Sequence, residues 1–388
     1  KIIFGEEKNP QKSFVYTDLS EMFPGYVYGP LRNELTGKDV WCSTYRDEIT
    51  GEGGYVYAEP GIYENVALLD VASMHPTSIE LLNAFGPYTE NYSALKTARL
   101  AIKHKDYEKA GTLLNGKLKP YLGDPDDADA LSYALKIVIN IVYGVTSASF
   151  PNSFKDNRNV DNIVAKRGAL FMVDLKHAVQ EKGFTVAHIK TDSIKIPDAT
   201  PEIIAFVMEF GKKYGYDFEH EGTYDKFCLV NDAVYIAGEL IGRRQESDGE
   251  GNLYKWTAVG AQFQHPYVFK TLFTHEELTF DDFCETKSVK QGVMYLDFNK
   301  DPLRKVTEFV HVGRTGSFVP VLTDGATLWR IKDDKKYAVT GTKGYRWIER
   351  DVAANIKDLK IDMTYFENLR IDAFEAIDFY GDFGRFVS

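Results

Sequence analysis

Two aspartates, Asp70 and Asp192, stand where carboxylates can be put to chemical use. Asp70 closes the apolar run Val66-Ala67-Leu68-Leu69, a pattern that predicts a buried strand delivering a carboxylate to its edge. Asp192 lies in Lys190-Thr191-Asp192-Ser193, between the apolar stretches 185–189 and 194–196, which together predict a β-hairpin with polar residues at its turn. Carboxylates arriving from separate elements are what two-metal phosphoryl transfer requires, because both must hold the cations. Taken singly, each also fits a surface or capping aspartate.

Lys136, Asn140, Tyr143 and Gly144 recur at helical spacing and so share one face, with the apolar residues between them expected to face the core. Lys136 then points toward phosphates; a solvated lysine and a core tyrosine are the plainer alternative. Arg99 and Lys103 stand four apart on a predicted helix. Arginine offers phosphate oxygens a planar fork and lysine a point charge, though such pairs are also common on exposed helices.

The order of these segments resembles the three polymerase motifs of B-family DNA polymerases. Asp70-Val71-Ala72-Ser73-Met74-His75-Pro76-Thr77-Ser78-Ile79 is similar to the first motif, Lys136-Ile137-Val138-Ile139-Asn140-Ile141-Val142-Tyr143-Gly144 to the second, and Lys190-Thr191-Asp192-Ser193 to the third. The approach through Gly53-Gly54-Tyr55-Val56 and Glu59-Pro60-Gly61-Ile62-Tyr63 looks like the family's connector, and the resemblance spans residues 53–260. Three departures stand out. Ile141 replaces a serine, Lys190 replaces the first aspartate of the third motif, and Asp232-Ala233-Val234-Tyr235 keeps a tyrosine but lacks the lysines that usually precede it.

The resemblance implies a template-directed DNA polymerase with primer-template DNA and deoxynucleoside triphosphates as partners. Two Mg2+ ions, or Mn2+, would be held by Asp70, the carbonyl of Val71, and Asp192. Arg99, Lys103 and Lys136 would take the triphosphate, while Asn140 and Tyr143 would line the nascent base pair. His75 stands where the family's tyrosine closes against the sugar. Gly144, Lys190 and Tyr235 are assigned to DNA, as are Lys335, Lys336 and Arg346, which interleave with aromatics near the C-terminal end. If residues 190 and 192 shared a strand, alternation would set Lys190 beside the metal carboxylate.

These residues need elements to hold them. The implied fold is α+β, a right hand with an antiparallel-sheet palm, helical fingers and a C-terminal thumb. Its expected parts are an N-terminal segment or connector (1–52), palm (53–86), fingers (87–150), palm again (151–263) and thumb (264–388). Residues up to about 52 look irregular, and paired glycines at 53–54 mark a tight turn or a close backbone approach. Helices are expected from Pro76, through most of 92–150 as two antiparallel arms, and over 162–182 and about 199–214. Short strands follow, including 234–236 and 255–262, then a hairpin around residues 332–335.

Composition bounds the rest. The 388 residues carry a formal charge of −11, which counts against nucleic acid on average but not in a locally basic cleft, and lysine and arginine crowd residues 96–119 and 330–346. No apolar run approaches the ~20 residues that span a bilayer, so no membrane partner is expected. Cys42, Cys228 and Cys284 lie without metal-ligand spacing and suit a reducing, cytoplasmic setting, with a viral system as the source the compactness suggests. Asp18 and Glu21 lack the spacing of an exonuclease pair, and the chain begins at Lys1, so proofreading is expected in further sequence or in another replication protein. Two rivals remain: a non-catalytic polymerase-like scaffold, and a two-metal nuclease, which would have no use for the Lys136 face.

Overall fold

The apolar run before Asp70 becomes the strand Gly61–Val71, in which Ala67, Leu69 and Val71 are buried while Leu68 and Asp70 are half-buried. One face of this strand feeds the core and the other carries Asp70. The computed structural model describes residues 2–7, 19–51, 53–156, 159, 161–246, 249–298 and 309–388, so Asp18 and Glu52 lie outside the described residues. Helices and antiparallel sheets are mixed throughout. The chain divides into two compact units, Lys1–Glu59 with Tyr63–Tyr224, and Pro60–Ile62 with Asp225–Ser388.

In the first unit, Gly61–Val71 pairs with Ser193–Ile196, which pairs with His188–Lys190, which pairs with Val56–Ala58, all antiparallel. Leu69, Ile189, Ile194 and Ile196 turn to one face and share a core with Leu170, Phe171 and Val173 of helix Ile163–Glu181. Each such side chain removed from water contributes about 1.5–3 kcal/mol. Buried along most of its length, this helix also holds polar residues, most of whose groups find partners in place, although Nη1 of Arg167 has none. Arg167 donates to the Tyr214 carbonyl at 2.8 Å, Lys166 to the Gly51 carbonyl at 2.8 Å, and Asp174 accepts from Tyr45 at 2.8 Å.

Helix Met74–Leu81 begins two residues before Pro76, after Ser73 in a left-handed conformation, and leaves Leu81 exposed. The arms expected over 92–150 are helices Thr89–Lys103 and Pro125–Thr146, joined by the short helix Tyr107–Thr112 and two 3-10 turns. Asp124 caps the second arm, accepting from the backbone N–H groups of Asp126 and Asp127 ahead of Pro125 in its first turn. Leu135, Ile139, Val142 and Thr146 form its buried stripe, but Ile137, Val138 and Ile141 are exposed. This corrects the expectation that the apolar residues between Lys136 and Gly144 face the core. At 100° per residue, only one stripe of a helix can reach its neighbour. By length and mean hydropathy this helix could cross a bilayer, a property the residue-by-residue reading passed over. Here it joins the first unit's core through Ala128, Leu135 and Ile139, and the Tyr92 hydroxyl of helix Thr89–Lys103 donates to the Ile139 carbonyl at 3.4 Å.

Among the described residues before 52, the expected irregularity gives way to a sheet. Val27–Arg32, Asp39–Tyr45 and Glu48–Thr50 form a three-stranded antiparallel sheet. Most of Val27–Arg32 is exposed, so no hydrophobic alternation announced it.

The second unit mixes strands with helices. Val234–Glu246 and Gly249–Val259 form a long antiparallel pair, beyond which come a three-stranded sheet, a four-stranded sheet and the helix Met363–Asp378. The hairpin expected at 332–335 joins Thr327–Lys332 to Lys335–Ala338, with Asp333 and Asp334 at φ 50° and 58°. Two left-handed central residues make the tight turn that suits strand twist.

Candidate active site

Strand register sets the carboxylates. Asp70 pairs with Ser193, and the N–H of Val71 donates to the carbonyl of Asp192 at 2.8 Å, which ties the hairpin turn to the end of the central strand. The turn is held from its other side as well. Thr191, at φ 58°, donates its N–H to the Tyr55 carbonyl at 2.9 Å, and a Cβ on Gly54 would lie 2.9 Å from the Thr191 side chain. Of the paired glycines, Gly54 thus permits a close approach that props the turn carrying Asp192, while Gly53 has open space around it.

Asp70, Val71 and His75 line one cavity of 470 Å³ together with Arg99, Lys136, Asn140, Tyr143 and Asp192. Ser73 lies there too, within 3.4 Å of the Arg99 guanidinium. The imidazole of His75 stacks on the ring of Tyr143 with centroids 4.1 Å apart and planes 6° from parallel. Burial pushes the His75 pKa down to about 4, so the ring is neutral at physiological pH.

Other expected site residues lie elsewhere. Lys103 is outside the cavity lining and forms an ion pair with Glu219 at 3.6 Å; Gly144 is exposed on the same helix as Lys136. Lys190 and Asp192 do not share a strand, because Lys190 ends the first strand of the hairpin while Asp192 sits in the turn. The premise for setting Lys190 beside Asp192 therefore fails. Lys190 instead reaches the face of Asp70 by cross-strand register through Ser193, and it is exposed. In the second unit, Tyr235 is buried against Phe227 with ring centroids 5.0 Å apart. Lys336 pairs with Asp297 at 3.0 Å and lies over the Trp329 ring, and Arg346 donates to the Thr327 hydroxyl at 3.2 Å. Lys335 is exposed. Lys336 and Tyr235 are thus engaged within the fold.

Three residues escaped the sequence reading. Glu219 and Glu221 add negative charge near Asp70, and Lys195 is a buried cation near both aspartates. Alternation was the available signal: 219 and 221 fall on one face of a strand, as 193 and 195 do. Burial, followed by the charges of Asp192, Glu221 and Glu219, raises the Asp70 carboxyl to about 7. Asp192 is also raised, chiefly by burial.

Among the described residues no group of three or more His, Cys, Asp or Glu side chains forms a ready-made metal cage. The donor set is two crowded carboxylates opening on a cleft with Arg99 and Lys136 in its wall. That set fits Mg2+, which keeps several waters and is commonly bound by one or two carboxylates plus substrate phosphates.

No family model matches this sequence, and no curated protein does. A solved structure does resemble it. The family B DNA polymerase from the hyperthermophilic archaeon Pyrobaculum calidifontis is similar at a TM-score of 0.45 and 15% identity, over 87% of this chain and 48% of that chain. This chain therefore spans about half the length of that polymerase.

Proposed function

We propose that this chain is the polymerising part of a DNA polymerase of the B-family type, adding deoxynucleotides to a primer 3′ end on a DNA template. The observation that carries the reading is one cleft lined from all three motif segments: Asp70 and His75, then Lys136, Asn140 and Tyr143, then Asp192. These segments are far apart in sequence, and the fold brings all three to one cleft.

Asp70, the Val71 carbonyl and Asp192 would hold Mg2+, which when bound supplies positive charge that eases ionisation of the primer hydroxyl and neutralises the triphosphate. The remaining work belongs to the chain. Arg99 offers a planar fork and Lys136 a point charge to phosphate oxygens entering the cleft. Lys103 would exchange Glu219 for a phosphate; both partners are about half exposed, so the pair to be broken is weak. The stacked rings of His75 and Tyr143 form a flat, uncharged wall for the sugar and base of the incoming nucleotide. Phosphoryl transfer asks little covalent help from protein, so alignment and charge account for most of the acceleration.

Primer extension with Mg2+ and the four deoxynucleoside triphosphates tests this. The native chain should lengthen the primer, and Asp70→Asn or Asp192→Asn should bind primer-template normally but extend it slower by several orders of magnitude. Shortening of the primer would instead identify a nuclease, and binding without turnover a scaffold.

A further inference from the structure

Register brings a buried cation onto the carboxylate face of the sheet. Leu68 pairs with Lys195 and Lys195 with His188, just as Asp70 pairs with Ser193 and Ser193 with Lys190. Residues two apart on a strand share a face, so Lys195 and His188 lie on the side of Asp70, one row away. Lys195 is 2% exposed. Its Nζ lies 3.2 Å from Nδ1 of His188 and donates to Ser193 Oγ at 3.4 Å, which draws it toward the residue directly opposite Asp70.

A buried ammonium persists only where hydrogen bonds and opposite charge make up for lost water. Burial, with the nearby charge of Lys190, lowers the Lys195 pKa to about 8, while the charges of Asp70 and Asp192 favour its protonated form. The negative charges of Asp192, Glu221 and Glu219 all act on Asp70, which makes such a cation useful.

We propose that Lys195 is a positioning residue that acts as a built-in counter-ion for Asp70 and Asp192. It offsets part of their mutual repulsion before substrate arrives, and so weakens divalent-cation binding until a triphosphate adds its own oxygens. Lys195 itself stays under the sheet face and touches neither primer nor nucleotide. The inference rests on the reading that Asp70 and Asp192 hold divalent cations.

Calorimetric titration of the full chain with Mn2+, without DNA or nucleotide, tests it. Lys195→Met, which keeps the length and removes the charge, should bind Mn2+ roughly tenfold tighter or more. Lys195→Arg should match the native chain. Unchanged or weaker binding by folded Lys195→Met overturns the proposal, as does equal tightening in Lys195→Arg or a native chain that binds no Mn2+. If Lys195→Met does not fold, Asp70→Asn with Lys195→Met removes one carboxylate together with its counter-ion. Recovered folding then supports the role, and failure of both variants makes Lys195 a residue of the fold alone. A native chain that binds Mn2+ as described yet extends no primer would cost the polymerase reading and leave the counter-ion standing.

Discussion

On the proposed reading, His75 is an imidazole standing where B-family polymerases have a phenol. Its stack on Tyr143 and its depressed pKa make it a neutral plate rather than a cation, so its influence on a nucleotide is by shape. Bulk at this point would collide with a ribose 2′-hydroxyl more than with a deoxyribose. His75→Gly should accordingly lower the preference for deoxy- over ribonucleotides by at least tenfold in single-nucleotide insertion, while His75→Phe, which keeps a ring on Tyr143, should preserve it. Unaltered preference in an active His75→Gly chain would leave the imidazole a packing role only.

Among elements, the junction of helices Ile163–Glu181 and Met74–Leu81 bears on the cleft through Met74. A Cβ at Gly168 would stand 2.5 Å from Sδ and 3.0 Å from Cγ of Met74, a side chain 2% exposed that would have to shift. Met74 precedes His75 and itself lines the cavity. Gly168→Ala gains up to ~1 kcal/mol of helix propensity, but overpacking costs about 1–3 kcal/mol, so a net loss is expected. Urea unfolding should show that loss, single-turnover extension should slow as the first helical turn shifts, and Met74→Ala added to Gly168→Ala should recover stability. A Gly168→Ala chain as stable and as fast as the native one would mean that this junction has slack.

Across the whole molecule, Asp70 links the cleft to global stability. Its carboxyl is raised from the ordinary 3.8 to about 7 in the folded chain, so the folded state holds this proton more tightly than the unfolded state does. The resulting stabilisation is fully present below 3.8 and is lost as pH rises through about 7. Without divalent cations, melting temperature should therefore fall between pH 5 and pH 8. Self-repulsion in a chain of formal charge −11 acts in the same direction, and Asp70→Asn separates the two by flattening only the carboxyl's share. Mg2+ should raise the melting temperature more at pH 8 than at pH 5, since it binds the ionised form of the folded state. Calorimetric scans with chelator and with Mg2+ read both effects.

Local pattern was enough to locate the strand ending near Asp70, the hairpin around Asp192, the helix carrying Lys136 to Tyr143, and the tight turn at Asp333 and Asp334. Each of these rests on hydrophobic periodicity or turn chemistry within a dozen residues, and such interactions are written into neighbouring side chains. Tertiary structure alone decided which charges meet. Lys190 and Lys195 are both lysines in one hairpin, yet only Lys195 is buried near the carboxylates. Lys335 and Lys336 are adjacent, yet only Lys336 is engaged with Asp297. The sheet of residues 27–50 likewise formed by pairing, with little burial to announce it. Strand register and helix contacts join residues more than a hundred positions apart. A single sequence records the propensity of each segment to form its element, and leaves open which face it will present and to whom.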